Sequence, residues 1–142
     1  MIAYLDSSVV LRVILRQPNR LAQWGSVETA VASALLEVEC LRTLDRLRLV
    51  SDVSDRDLAL RRETVYRLTE AMHLVEPSSV VLERAALPLP TPLGMLDAIH
   101  LATALVWREI RGQEIVMATH NAALGTAARA CGLHVVGLES AY

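Results

Sequence analysis

Short apolar runs alternate with helical segments along the whole chain, and this alternation limits the possible folds more than any other sequence feature. Strands separated by helices pair in parallel, and helices then cover both faces of the sheet. The sequence therefore predicts an α/β fold with three layers, α/β/α, and a central parallel sheet of four to five short strands. The predicted strands are Ile2–Leu5, Ala30–Ser33, His73–Val75, Glu114–Thr119 and His134–Gly137. The predicted helices are Val9–Arg16, Leu35–Val50, Ser54–Met72, a short one capped by Ser78 or Ser79, Met95–Arg111 and Asn121–Cys131.

Length and composition narrow the class of protein. The 142 residues, 53% of them hydrophobic, suit one domain over residues 1–142 with a substantial core. No apolar run approaches the roughly 20 residues of a membrane-spanning helix, so we expect a soluble cytoplasmic protein without a membrane partner. Cys40 and Cys131 stand far apart, outside any CxxC or Cys/His ligand spacing, and we expect free thiols. The 14 basic residues are all arginine and face 16 acids, so the charge of -2 does not favour a broad basic surface.

Polar residues follow two of the predicted strands. Asp6 follows the first strand, and Thr119, His120 and Asn121 end or follow the fourth. In parallel α/β folds, ligands bind outside the carboxyl ends of the strands. Asp6 could instead cap the next helix, but Ser7 or Ser8 could supply that cap equally well. We therefore expect chemistry at Asp6.

A second group of polar residues lies on the predicted helix Met95–Arg111. In its segment 96–107 only Asp97, His100 and Thr103 are polar, and their spacing places them on one stripe. A buried carboxylate needs a partner. An arginine or backbone amides could satisfy Asp97, and His100 could be a core histidine bonded to a carbonyl. These structural roles and a functional role are equally compatible with the pattern.

A third acidic segment is 33–40, where Glu37 and Glu39 flank the apolar face of a helix from opposite sides. Periodicity does not choose between them, and both could be solvated charges. Carboxylates from distant segments that meet at the edge of a parallel sheet suit Mg2+ or Mn2+, which prefer oxygen ligands. Such ions activate a water for phosphoryl displacement, so no nucleophilic side chain is needed.

Three segments together carry a family resemblance: Tyr4–Ser8, Ser33–Glu39 and Pro92–Ala104. They resemble the PIN-domain nucleases, and among these the VapC-like toxins of bacterial type II toxin–antitoxin systems. The resemblance extends to the last strand and implies a PIN-like fold with the metal-binding acids at Asp6, Glu39 and Asp97. It thereby selects Glu39 over Glu37. A fourth acid of the family is replaced by Asn121, which keeps a carbonyl oxygen but loses a charge, and which could also cap the helix that follows.

The resemblance also implies an activity. It implies a Mg2+-dependent endoribonuclease, with Mn2+ as the other candidate ion, whose partners are an RNA substrate, a cognate antitoxin and a second copy of the chain. Ser7, Thr119 and Arg108 are candidate water or phosphate contacts, and Arg108 shares the stripe of Asp97. Two alternatives stay open. Because of Asn121 the chain could bind its partners with little turnover, or Asp6 could be the nucleophile of a phosphatase, although Ser8 stands where such enzymes usually carry a second Asp.

The charge balance changes if three of the acids hold a metal. Without Asp6, Glu39 and Asp97, 13 acids face 14 arginines, and the rest of the chain carries +1. We therefore expect RNA recognition by shape and by a few positioned arginines. Besides Arg108, the candidates for phosphate or antitoxin contacts are Arg12, Arg16 and Arg111.

Overall fold

Five parallel strands and six α-helices make up the fold in a computed structural model that describes residues 1–138. The strands are β1 (Ile2–Leu5), β2 (Thr29–Ser33), β3 (His73–Val75), β4 (Val116–Ala118) and β5 (His134–Val136), in the spatial order β3-β2-β1-β4-β5. The helices are α1 (Ser7–Ile14), α2 (Leu35–Val50), α3 (Asp55–Glu70), α4 (Ser79–Ala86), α5 (Met95–Arg111) and α6 (Ala122–Ala130). The predicted three-layer α/β fold with a parallel sheet is confirmed.

The two helix layers cover opposite faces of the sheet because side chains alternate along each strand. In β1, Ala3 and Leu5 pack against α1, α2 and α3, whereas Tyr4 packs against α5 and α6. In β2, Val31 and Ala32 divide between the same two cores. The central strands are therefore buried on both faces, which explains their continuous apolar sequence.

Helix α5 is the most deeply buried helix of the fold. Every residue from Ala98 to Trp107 is buried, and the helix ends at Gly112, whose φ of 62° is left-handed. Helix α4 packs along it through Val81, which contacts a cluster with Ile99 and Val106. The run of apolar residues on nearly every side of α5 therefore reflects its place inside the molecule.

Several boundaries differ from the sequence prediction. Helix α1 begins at Ser7 instead of Val9, so both serines lie in its first turn, and it ends at Ile14, before Arg16 with its left-handed φ of 54°. Strand β4 is limited to the three residues that pair with β1 and β5. A 3-10 turn at Trp24–Ser26, which the sequence did not indicate, leads into β2.

Two other sequence expectations concern cysteines and membranes. Cys40 and Cys131 are both free thiols. Burial, the largest cause, and the nearby carboxylates raise the pKa of Cys40 to about 12. Among the described residues, no helix is both long enough and apolar enough to cross a membrane.

Candidate active site

The three carboxylates that the sequence singled out meet at the carboxyl edge of the sheet. Asp6 directly follows β1, Glu39 lies in the second turn of α2, and Asp97 lies in the first turn of α5. The Ser7 hydroxyl lies between two of them, 3.2 Å from Glu39 Oε2 and 3.4 Å from Asp6 Oδ1. Distant parts of the chain therefore bring their acids to one place, as parallel strands favour.

Asp6 is held by hydroxyl groups on one side only. Its side chain accepts hydrogen bonds at Oδ2 from Ser8 Oγ (2.7 Å) and from Thr119 Oγ1 (2.8 Å). Although Asp6 occupies the N-cap position of α1, its side chain makes no capping bond, and the residue is only 2% exposed. The hydroxyls thus stabilise a buried carboxylate, and among residues 1–138 Oδ1 has only the long contact to Ser7.

Asp97 is paired by the residue that replaces the fourth acid. Asn121 Nδ2 donates to Asp97 Oδ2 at 3.1 Å, while Asn121 Oδ1 accepts from the backbone amides of Ala123 and Leu124 and caps α6. Burial, and then the charge of Asp6, raises the pKa of Asp97. The partner of Asp97 is therefore the side-chain amide of Asn121, and not an arginine or a backbone amide. The negative charge of Asp6 lies close enough to raise the pKa of Asp97.

Glu39 is positioned by a chain of buried hydrogen bonds that begins at the backbone. The amide of Ser33 donates to the Tyr4 hydroxyl (3.1 Å), which contacts His100 Nδ1 (2.5 Å), and His100 Nε2 contacts Glu39 Oε1 (2.5 Å). Because the Tyr4 oxygen already accepts one hydrogen bond, its own hydrogen is free for Nδ1. The ring proton is then on Nε2 and faces Glu39.

Two opposing effects act on the pKa of His100. Burial by itself lowers the pKa of this imidazole, and the hydrogen bond and the charge of Glu39 raise it. The charges of Asp6 and Asp97 act in the same direction as Glu39, and the net pKa is raised. His100 is therefore a side-chain partner of the acid cluster and not a core histidine bonded to a carbonyl.

The structure also separates residues that periodicity left equivalent. Glu37 accepts a hydrogen bond from Thr69 of α3 (3.0 Å), so it faces the neighbouring helix, and Glu39 faces the acids. Thr103 donates to the carbonyl of Ile99 within α5 (2.6 Å). This hydrogen bond within its own helix accounts for the polarity of Thr103.

Arg108 is the one predicted site residue that the fold does not bring to the acids. It lies eleven residues after Asp97 on α5, which is about 16 Å along the helix axis. Its guanidinium, in the last turn of α5, donates to the carbonyl of Cys131 at 3.3 Å. Asp97 and Arg108 lie on the same stripe of α5, but residues on one stripe can still be far apart along the helix axis.

Two arginines that the sequence prediction did not include lie beside the acids. Arg42 and Arg46 line a groove of about 390 Å³ whose other lining residues include Ser7, Glu39 and Leu96. They stand three and seven residues after Glu39 on α2 and thus on its face of the helix. This spacing was the available signal. The roles of Tyr4 and Ser8 had no comparable signal, because they depend on partners far away in sequence.

The donor set of the site fits a hard divalent cation. Its side chains offer carboxylate oxygens, whose mutual repulsion contributes to the raised pKa of Asp97. A bound cation would relieve this repulsion. Within residues 1–138, no three His, Cys, Asp or Glu side chains are close enough together to ligate one ion. Side chains would therefore have to turn toward an ion for three of them to bind it.

Comparison with known families identifies the family of this chain. The family model of the PIN domain matches residues 3–124, from β1 into α6. The chain belongs to the PIN domain family. The match contains all four of the residues proposed from the sequence for catalysis, Asp6, Glu39, Asp97 and Asn121.

One solved structure supports the same fold. A chain in the crystal structure of VapBC2 from Rickettsia felis, bound to a DNA fragment from their promoter, is similar to this PIN domain with a TM-score of 0.61. The two chains are 13% identical, and the similarity covers 95% of this chain and 97% of that one. No curated protein sequence matches the chain significantly. The similarity therefore concerns the fold over nearly the full length of both chains.

Proposed function

We propose that this PIN domain is a metal-dependent endoribonuclease that hydrolyses RNA phosphodiester bonds with Mg2+, or with Mn2+ in its place. The observation that carries the proposal is the meeting of Asp6, Glu39 and Asp97 at the carboxyl edge of the sheet. Hydrolysis of a phosphodiester generates negative charge, and a cation held by oxygen ligands can stabilise it. No side-chain nucleophile is required for this reaction.

Each residue of the site has a distinct task in this proposal. Asp6, Glu39 and Asp97 would hold the ion, which when bound polarises the phosphate and lowers the pKa of a water. Ser8 and Thr119 orient Asp6 by donating to Oδ2. The other oxygen of Asp6 then stays available as a ligand.

Orientation of the remaining two acids comes from the side chains of Asn121 and His100. Asn121 holds one oxygen of Asp97 and leaves the other for an ion. His100 holds Oε1 of Glu39 through the proton on Nε2, because the Tyr4 hydroxyl occupies Nδ1. Arg42 and Arg46, in the adjoining groove, would bind the phosphates of the substrate strand.

The biological role we propose is that of a VapC-like toxin with a cognate antitoxin as its partner. The full-length similarity to a chain of the VapBC2 structure supports this role. The homodimer and the cytoplasmic location that the sequence analysis anticipated stay predictions.

The test is cleavage of total RNA by the purified protein with Mg2+ and with EDTA. The Asp97→Asn variant keeps the size and a hydrogen-bond acceptor, and we expect it to lose more than about 100-fold in activity, beyond the usual effect of removing a supporting partner of a ligand. Asp52→Asn, at an exposed position outside the site, is the matched control. Cleavage that survives both EDTA and Asp97→Asn would refute the proposal.

One observation favours a second candidate, a module that binds RNA and antitoxin with little turnover. Asn121 uses its carbonyl oxygen to cap α6, so this position supplies neither a charge nor a free ligand atom. Calorimetric titration with Mg2+ and Mn2+ separates the two candidates. Binding heat that disappears in Asp97→Asn supports the nuclease, and the absence of heat supports the binding module.

The phosphatase alternative receives no support from the geometry. Asp6 would have to attack a phosphate, but it is 2% exposed and its Oδ2 accepts two short hydrogen bonds. A nucleophilic carboxylate needs access to the phosphorus atom. We therefore do not propose covalent catalysis by Asp6.

A further inference from the structure

A second polar pocket, which shares no lining residue with the groove of Arg42 and Arg46, lies close to Asp6. Its volume is about 280 Å³, and its lining includes Arg12, Arg20 and His120. Pockets for whole small molecules usually begin at about 300 Å³, so this one suits a part of a larger ligand. Since two of its lining side chains are guanidinium groups, the chemistry favours an anion.

The local sequence gives this pocket an unbalanced positive charge. Residues 7–27 contain three arginines, Arg12, Arg16 and Arg20, and no acid. Neither Arg12 nor Arg20 forms an ion pair with any acid in the part of the chain that the structure describes. Although the whole chain has a net charge of -2, positive charge is therefore concentrated at the end of α1 and in the turn after it.

The frame of the pocket is fixed by the backbone. Arg12 Nη1 donates to the carbonyl of Asn19 at 2.8 Å and holds the turn after α1. On the other wall, His120 Nδ1 contacts the carbonyl of Gly137 at 2.6 Å. Gly137 has a φ of 97°, and a Cβ there would lie 2.6 Å from the Thr119 carbonyl oxygen. The two walls are thus held in place without any ligand.

Hydrogen bonds connect this pocket directly to the acids. The backbone amide of His120 donates to Ser8 Oγ (3.0 Å), and Ser8 Oγ donates to Asp6 Oδ2 (2.7 Å). Arginine side chains therefore line two separate pockets near the acid cluster. A strand whose reacting phosphate lies at the acids has neighbouring phosphates on both sides.

We propose that the pocket of Arg12, Arg20 and His120 binds a phosphate of the RNA strand next to the one that is cleaved. This inference rests on the proposed nuclease function, because it takes RNA as the ligand. The arginines supply charge and hydrogen-bond donors, and the phosphate replaces the acid partners that they lack among the described residues. The pocket then positions the strand and does not take part in the bond cleavage.

The test is binding of a short fluorescent single-stranded RNA in EDTA, measured by anisotropy over a salt titration. Each phosphate contact adds about 0.7 to the slope of log K against log salt concentration for a single strand. We expect Arg20→Ala to weaken binding and to lower this slope by about 0.7. Arg20 is the residue to change, because Arg12 also holds the turn.

The matched control is Arg56→Ala, which removes the same charge from an exposed position at the start of α3. A slope of Arg20→Ala equal to that of Arg56→Ala overturns the pocket proposal, even if the wild-type protein cleaves RNA. A wild-type protein that binds no RNA overturns it too. If the slope depends on Arg20 but no metal supports cleavage, the pocket stands and the nuclease proposal fails.

Discussion

The hydrogen-bond chain from Ser33 to Glu39 gives the sharpest prediction. Replacing Tyr4 by Phe removes one hydroxyl and almost no volume. The Ser33 amide loses its acceptor and His100 Nδ1 loses its partner, and both groups lie in the buried interior. A buried polar group left unpaired costs about 1–3 kcal/mol. With two such groups, we expect Tyr4→Phe to lower the free energy of unfolding by about 2–6 kcal/mol.

The measurement is urea unfolding of the metal-free protein. With a slope of about 2 kcal/mol per M, the midpoint should fall by roughly 1–3 M. Tyr66→Phe is the matched control, because the Tyr66 hydroxyl only accepts from the exposed Arg62, and the change should cost less than about 0.5 kcal/mol. Equal midpoints for Tyr4→Phe and Tyr66→Phe would refute the reasoning.

The same variant tests the link to function. Without the Tyr4 hydroxyl, His100 is no longer fixed with its proton toward Glu39. The loss of a partner that supports a ligand typically lowers metal affinity or activity about 10–100-fold. We expect a loss near tenfold, since Tyr4 acts through His100. Unchanged metal affinity in a destabilised variant would limit the chain of hydrogen bonds to a structural role.

Three other predictions follow from single residues. The pKa of Asp97 is raised, so its ionisation destabilises the metal-free fold, and this cost grows as the pH rises through the folded-state pKa. Asp97→Asn should therefore have a slightly higher melting temperature than wild type at neutral pH and no higher one at acid pH. A lower melting temperature of the variant at neutral pH would contradict this. With its pKa of about 12, Cys40 should not react with a thiol reagent at about pH 8 in the native state. Cys131 alone should then react until denaturant exposes both cysteines. Rapid reaction of two thiols per native molecule would contradict this. Gly137→Ala should cost more than about 2 kcal/mol, because a Cβ there meets a backbone oxygen at a φ of 97°, whereas Gly25→Ala, with no atom within 4 Å, should be nearly neutral in the same melting assay.

Local sequence signals were sufficient for the fold. Apolar runs of the right length and the residues that punctuate them gave the order of strands and helices, because these signals act between near neighbours. The start of α1 was misplaced, since Ser7 and Ser8 looked like caps and are instead in the first turn, where their hydroxyls bind Asp6 and Glu39. The preference of serine for N-cap positions was outweighed by hydrogen bonds from Ser7 and Ser8 to these two acids.

The candidate site was predicted less completely. Carboxyl ends of parallel strands share one edge, so Asp6 and the residues around Thr119 could be placed together from sequence. Helical projection did not separate Glu37 from Glu39, and the packing of α3 against α2 accounts for the difference through Thr69. The fold leaves Arg108 away from the acids, since a helical stripe carries no information on distance along the axis.

The sequence by itself therefore determined the parallel α/β architecture and the place of Asp6 at its edge, because periodicity and strand ends are properties of neighbouring residues. The choice of Glu39 and Asp97 as further acids of the site came from the family resemblance. Only the tertiary structure decided the partner of each buried polar group. The bond between Tyr4 and His100 joins residues 96 positions apart, and that between Asp6 and Thr119 joins residues 113 apart. Such pairs form because a buried polar group must find a donor or acceptor wherever the packed chain offers one. No local pattern records which one it will be.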